Sequence, residues 1–363
     1  MLSKIICDLA PDQQNNRNSE GAFIELKDGR ILFVYSRYAD MGCKDDAEAD
    51  LYGVISKDQG ESFGEPFEVL NRAEVDATNV MSVSLMRMAN GDIGMFYLKK
   101  SEVDQCRYYL KRSKDEGKSF GPPVCCIEER GYYVVNNDRV IRTKSGRLLF
   151  AAAYHKTHSE LNEEGTKYIS KFEPGVVQIY ASDDDGDTWK KLADNIEVPI
   201  CGGCTTGAQE PGLLLMNDGR IWCYIRNNTG RQYETFSEDD GVTWSNPLPS
   251  RFTSAVSPMC TKRLSDNRIL VVWNPIPTYN GRVQRVNGIH TGGRNPLTIA
   301  MSEDDGKNYT DPIAIETDEK CGYCYTAIYE TNDGGVLLAY CAGGPEDKGI
   351  LNRTRVRKLY VGV

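Results

Sequence analysis

Long apolar runs are missing from this chain. Nowhere do about 18 apolar residues follow one another, the length that a membrane-crossing helix needs, and the opening MLSKIICDLA lacks the apolar core of a secretory signal. These absences predict a soluble protein with no membrane partner, cytoplasmic as the chain stands and exported only if a leader has been removed. Excess positive charge is missing too. Lys and Arg number 43 against 52 Asp and Glu, a net charge of -9, which argues against nucleic acid or an anionic membrane surface. Any anionic ligand must therefore be held by a local cluster of arginines. Histidine is scarce, with 3 in 363 residues, and His155 and His158 are too isolated for a metal site or a triad. No stretch carries convincing helical periodicity. Cysteine is better represented, at 12, and Cys201-Gly-Gly-Cys204 and Cys321-Gly-Tyr-Cys324 raise a zinc reading. The two pairs lie more than a hundred residues apart, and Cys324 falls within a strand pattern. Reduced, mostly buried thiols are expected instead, with no metal and no cofactor.

What is present is repetition. The octet S-x-D-x-G-x-[ST]-[aromatic] occurs at Ser56–Phe63, Ser113–Phe120, Ser182–Trp189 and Ser237–Trp244, and again at Ser302–Tyr309 with Asn308 in place of Ser or Thr. Each follows a short strand and makes sense as a turn: Asp bonds nearby backbone N–H groups, Gly supplies the special φ, and the aromatic packs beneath. A motif repeated around a fold cannot be one active site, so these Asp residues are structural. Six hairpins share a second grammar, two apolar strands joined at Asp28-Gly29, Asn90-Gly91, Ser145-Gly146, Asp218-Gly219, Asp266-Asn267 and Asp333-Gly334. Six units of three or four antiparallel strands predict an all-β, six-bladed β-propeller spanning 1–363 as a single domain, in which radial repetition hides most strand edges. Lys4 to Ile6 are expected to close the last unit as its outer strand. A β-sandwich competes, but it would not need one octet at one place in successive units.

The first strand of each blade would line the central channel. Counting eight residues back from each turn gives Glu20, Ser82, Asn137, Glu210, Pro258 and Tyr325. Five of these six are polar, in strands otherwise apolar enough to be core, and polar residues there need a reason. Capping of the channel with ordered water is one; a ring of functional groups is the other.

Five octets, six units and these residues make the chain resemble the sialidase (neuraminidase) superfamily, along essentially its whole length. The resemblance implies a retaining exo-glycosidase acting on a terminal sialic acid or related 2-keto acid sugar, with an acidic sugar or glycan as its partner. In this family a Tyr hydroxyl replaces the usual carboxylate nucleophile, because the substrate carries its own carboxylate at the anomeric carbon. A Glu deprotonates the Tyr, three Arg hold the carboxylate, and an Asp on a loop serves as acid and base. By resemblance Glu210 is the base, and Arg226 and Arg294 are two of the three arginines. The nucleophile is Tyr323, favoured slightly by its Gly-Tyr context, or Tyr325, favoured by register. Arg17 stands near the place of the third Arg, although the family's R-I-P form is absent; Glu20 beside it has no family counterpart and is expected to recognise a hydroxyl or amine, or to orient an Arg. Arg37 occupies the place of an Arg facing the far side of the sugar. The loop from Asp40 to Asp50 carries the acid, with Asp46 and Asp45 ahead of Asp50. Asn137 and Arg139 are further candidates for sugar contacts, Arg139 alternatively forming an ion pair with Asp138. Two other readings stay open: a catalytically silent propeller that binds acidic glycans, and another acidic-sugar glycosidase or lyase on the same scaffold.

Overall fold

The computed structural model describes residues 2–39, 45–193, 195–200, 204–278 and 284–360. The described residues are almost entirely strand and turn, with two short 3-10 turns at Arg72–Val75 and Pro345–Asp347. Their antiparallel ladders fall into six units, the first three joined by the parallel bridges Ala49–Asn79 and Cys106–Tyr132 into one 13-stranded sheet and the last three each a four-stranded sheet. The fourth is the simplest: Gln209–Leu215, Ile221–Arg226, Arg231–Ser237 and Leu248–Thr253 lie side by side in chain order. In the sixth, Cys324–Glu330, Gly335–Cys341 and Thr354–Tyr360 are completed by Leu2–Leu9 from the other end of the chain, paired antiparallel with Thr354–Tyr360. The strand expected around Lys4 to Ile6 is thus present, in the place expected.

All six hairpins close in one way. In the first, Gly29 N donates to Leu26 O and Leu26 N donates to Arg30 O, a type I turn followed by a left-handed residue. The left-handed residue is Gly in five copies and Asn267 in the other, the non-glycine side chain that tolerates this region best. The five octets also repeat bond for bond. In the third, Gly186 N donates to Ser182 Oγ at 2.7 Å, Thr188 N donates to Asp184 Oδ1 at 2.9 Å, and Thr188 Oγ1 donates to Asp184 Oδ2 at 2.5 Å. Trp189 packs beneath, its ring 5.9 Å from that of Phe96. Removing the hub carboxylate strands Thr188 N, Thr188 Oγ1 and the Ser182 hydroxyl at a half-wet turn. Asp184→Ala is expected to lower the unfolding free energy by about 1–2 kcal/mol, from net hydrogen-bond values, and a denaturant midpoint checks it.

The core follows from the period of two along each strand. On Ile31–Ala39, Leu32 and Val34 join a cluster with Val80, Met95 and Tyr97 of the second unit, whereas Ile31, Phe33 and Tyr35 join Leu337, Ala339 and Val356 of the sixth. Four more apolar clusters join the second unit to the third, the third to the fourth, the fourth to the fifth, and the fifth to the sixth. Each sheet is therefore apolar on both faces, which explains why these strands read as near-continuous apolar runs.

Candidate active site

The polar register positions are special for a backbone reason. Glu20, Ser82, Glu210 and Tyr325 all adopt positive φ, at 58°, 56°, 40° and 59°. Each opens a β-bulge in the first strand of its unit, where pairing with the second strand skips from Ser19 to Ala22, Met81 to Ser84, Gln209 to Gly212 and Cys324 to Ala327. A bulge leaves one residue unpaired and re-aims its side chain. Such strained conformations in non-glycine residues concentrate at functional sites.

The bulges bring Tyr325 to Glu210. The Tyr325 hydroxyl donates to Glu210 Oε1 at 3.0 Å, and Arg226 Nη1 donates to Glu210 Oε2 at 2.5 Å. Arg226 Nε is buried and finds no hydrogen-bond partner among the described residues. Arg294 lies over the Tyr325 ring at 5.4 Å and donates through Nη1 to Cys324 Sγ at 3.0 Å. Burial, and then the Glu210 carboxylate, push the Tyr325 phenol well above its ordinary value, against the pull of Arg294 and Arg226. The resting phenol is therefore protonated, with its proton already directed at a carboxylate. Burial also pushes the Cys324 thiol up, but hydrogen bonding from Cys341 and the charge of Arg294 outweigh it and hold the thiol below its ordinary value.

A second cluster forms around Arg17. Its Nε donates to Ser19 Oγ at 2.8 Å, Nη2 to Glu20 Oε1 at 2.9 Å and Nη1 to Asp45 Oδ1 at 2.6 Å, and its flat face lies 4.3 Å from the centre of the Tyr38 ring. Ser82 Oγ donates to Glu20 Oε2 at 2.6 Å. Burial raises the Glu20 carboxyl despite Arg17. Asp45 is 61% exposed on its side chain, yet packed groups crowd its carboxyl. That crowding pushes the carboxyl up, and the charges of Arg17, Lys100 and Arg294 overcome the push and hold it below the ordinary carboxylate range. Lys100 Nζ donates to the Asp45 backbone oxygen at 2.6 Å.

Other expectations need correction. Tyr323, slightly preferred as nucleophile, precedes the strand and is buried in the apolar core with its ring against Tyr340. Asp50 is spoken for by Arg72, whose backbone N and Nη1 both donate to it. Arg139 is buried and donates to the Tyr224 hydroxyl at 2.7 Å and to Met259 O at 2.9 Å. It ties three units together, and Asp138 meets Lys262 instead. Asn137 is likewise a staple, with Nδ2 donating to Gly21 O at 2.8 Å and Tyr325 O at 3.2 Å. This places the bulges of the first and sixth units side by side. Arg37 stacks on Tyr52 at 4.5 Å and reaches Asp12 at 3.6 Å. Asp46 is exposed, and Asp40 and Cys201 lie outside the described residues. No group of three metal-ligating side chains forms among the described residues, and none of their helices is long and apolar enough to cross a membrane. Sequence reasoning missed Lys100 and the contact between Arg294 and Cys324. Position next to Tyr325 was the one signal for the latter.

Comparison with known proteins gives the same direction. A 173-residue stretch is 28% identical to the anhydrosialidase of Macrobdella decora, covering 44% of this chain and 20% of that protein. The chain thus spans about a fifth of the length of this curated relative. Among solved structures, a protein of unknown function from Dyadobacter fermentans superposes with a TM-score of 0.70 at 17% identity, covering 98% of this chain and 99% of the other. A leech intramolecular trans-sialidase complexed with 2,7-anhydro-Neu5Ac superposes with a TM-score of 0.70 at 14% identity, over 99% of this chain and 70% of that one. The model of the BNR repeat-like domain matches residues 64–338, most of the chain, and with it this protein belongs to the BNR repeat-like family of the sialidase superfamily.

Proposed function

We propose that the chain is a single six-bladed β-propeller and a retaining exo-glycosidase of sialidase type, acting on a terminal 2-keto acid sugar. The propeller reading is supported by the apolar clusters that link each unit to the next and the sixth to the first. The five octets are then its Asp boxes. One observation carries the activity: the continuous chain from the Tyr325 hydroxyl through Glu210 to Arg226, with Arg294 over the Tyr325 ring.

The chemistry follows from charge. A carboxylate nucleophile would be repelled by a substrate that bears a carboxylate on the carbon under attack, whereas a neutral phenol is not. Glu210 takes the Tyr325 proton as the phenol oxygen bonds to the anomeric carbon and the glycosidic C–O bond breaks. Asp45 gives its proton to the departing oxygen. Asp45 then accepts a proton from water, whose oxygen attacks the anomeric carbon and releases Tyr325, which recovers its proton from Glu210. Arg226 and Arg294 present guanidinium forks that match the planar substrate carboxylate. Asp45 is preferred over Asp46 because its carboxyl is held within the cluster of charges, and over Asp50 because Arg72 occupies that residue.

Glu20 supports a second reading, another acidic sugar on the same scaffold, because it adds a buried carboxylate that the family pattern lacks. A panel of sialosides, other ulosonic acid glycosides and uronic acid oligomers separates the two. Release of sialic acid, free or as its anhydro form, supports the first, and release from the others alone supports the second. Tight binding without release would make the protein a glycan-binding propeller.

A further inference from the structure

The arginines of the site are not equivalent. Among the described residues, Arg226 and Arg294 each make one hydrogen bond to a side chain, to Glu210 and to Cys324. Arg17 has all three of its nitrogens engaged, by Ser19, Glu20 and Asp45, its face covered by Tyr38, and its side chain 1% exposed. Arg17 has five N–H donors, but a substrate carboxylate that binds it must either share one buried guanidinium with the two carboxylates already there or displace one of them. Glu20 is 4% exposed, and stripping a buried carboxylate of its partner is strongly unfavourable. Arg17 is therefore poorly placed to be the third member of a carboxylate clamp.

On the proposed function above, we infer that Arg17 is a positioning residue for the acid and base Asp45, anchored from behind by Glu20, and that the substrate carboxylate is held by Arg226 and Arg294. Two cations divide the task of fixing Asp45. Lys100 holds its backbone oxygen at 2.6 Å and Arg17 holds its carboxylate at 2.6 Å. Lys100 is itself fixed over the Tyr132 ring at 5.2 Å. Asn79 secures the same loop by donating to Ala47 O at 2.6 Å. Glu20 supplies the rigidity on the other side of Arg17, since Ser82 holds its second oxygen at 2.6 Å. The arrangement has a cost for proton transfer: a cation on Asp45 favours its ionised form, so the share of enzyme carrying the acid proton falls early as pH rises. The groups facing Asp45 are Arg17 and Glu20 from Asn15–Glu25, Tyr38 from the next strand, Lys100 and Cys106 from the second unit, Tyr132 from the third and Arg294 from the fifth.

Leaving-group chemistry distinguishes positioning from clamping. A nitrophenolate leaves without protonation, whereas a sugar or alkyl alkoxide needs the acid. For Arg17→Met, turnover of an alkyl or sugar glycoside is expected to fall about 10²-fold, the lower range for one general acid. Turnover of the matching nitrophenyl glycoside should fall far less, and affinity for the free acid sugar by calorimetry should stay within about threefold, under half the energy of one charged hydrogen bond. The falling limb of kcat/KM should move to higher pH, because Asp45 has lost the cation that lowered it. Arg226→Met, run in parallel, should weaken acid-sugar binding for every substrate. Should Arg17→Met fail to fold, Arg17→Lys keeps the charge but loses the planar fork that engages Ser19, Glu20 and Asp45 through three separate nitrogens, and the same leaving-group bias is expected. Equal losses on both glycosides, with acid-sugar affinity reduced as in Arg226→Met, would overturn the inference and leave the function intact. If the wild type cleaves neither glycoside and binds no acid sugar, the functional reading itself is wrong and this inference goes with it.

Discussion

Tyr325→Phe is expected to lower kcat on an acidic-sugar glycoside by about 10²–10⁴-fold, the range for removing a group that acts with a general base. The fold should survive, because the change removes one oxygen at the edge of the site and leaves the ring beneath Arg294. Glu210→Gln is expected to lose a similar factor. It keeps the shape of the carboxylate but cannot accept the phenol proton, and it weakens the ion pair with Arg226. The double variant should lose much less than the product of the two, since residues that act as one unit do not contribute independently. Tyr323→Phe is the contrasting case. Its ring packs against Tyr340 in the core, away from Glu210, so its effect should be confined to stability, about 1 kcal/mol for one hydroxyl. Single-turnover kinetics on the four proteins check this. A Tyr325→Phe enzyme that keeps more than a tenth of wild-type turnover would remove the nucleophile.

The contrast between these tyrosines shows where sequence reasoning holds. Counting back from the hairpin turns found Glu20, Ser82, Glu210 and Tyr325, since every one of them opens the same bulge at the same distance from the same turn. Turn, octet and bulge are local structures, set by residues within a few positions of one another, and they repeat. The count failed in the third unit, where the left-handed residue is Asp138 and Asn137 turns inward as a staple. It failed in the fifth because Cys260–Arg263 pairs without a bulge. The Gly-Tyr context misled for a packing reason: Gly322 is needed where Ile350 presses against it. Partnerships across units were not legible. Nothing near Asp50 in the chain announces Arg72 as its partner, 22 residues on, and Lys100 meets Asp45 across 55 residues. The positions of the bulges could be read; the partnerships among the charges around them could not.

The junction between the fifth and sixth units gives the largest expected effect on stability. Glu316, on the outer strand of the fifth unit, accepts from Arg355 Nη1 at 3.0 Å, Arg357 Nη2 at 2.9 Å and the Tyr340 hydroxyl at 2.7 Å, all in the sixth unit. Arg357 also reaches Ser3 Oγ at 3.0 Å, and Arg355 reaches Asp8, so the network extends to the strand contributed by the start of the chain. Glu316 and Arg357 are both about nine-tenths buried. Removing one partner from such a network leaves guanidinium charge without its counter-ion in a poorly hydrated place, so Glu316→Ala is expected to destabilise by about 3–5 kcal/mol. Glu316→Gln still accepts a hydrogen bond and should cost less, about 1–3 kcal/mol. Arg355 retains Asp8 in either variant, so most of the loss falls on Arg357 and Tyr340. The order of the two variants matters more than their size. If denaturant unfolding ranks Glu316→Ala no worse than Glu316→Gln, the charges add nothing to joining these units, and the apolar clusters between the first, fifth and sixth units hold them together alone.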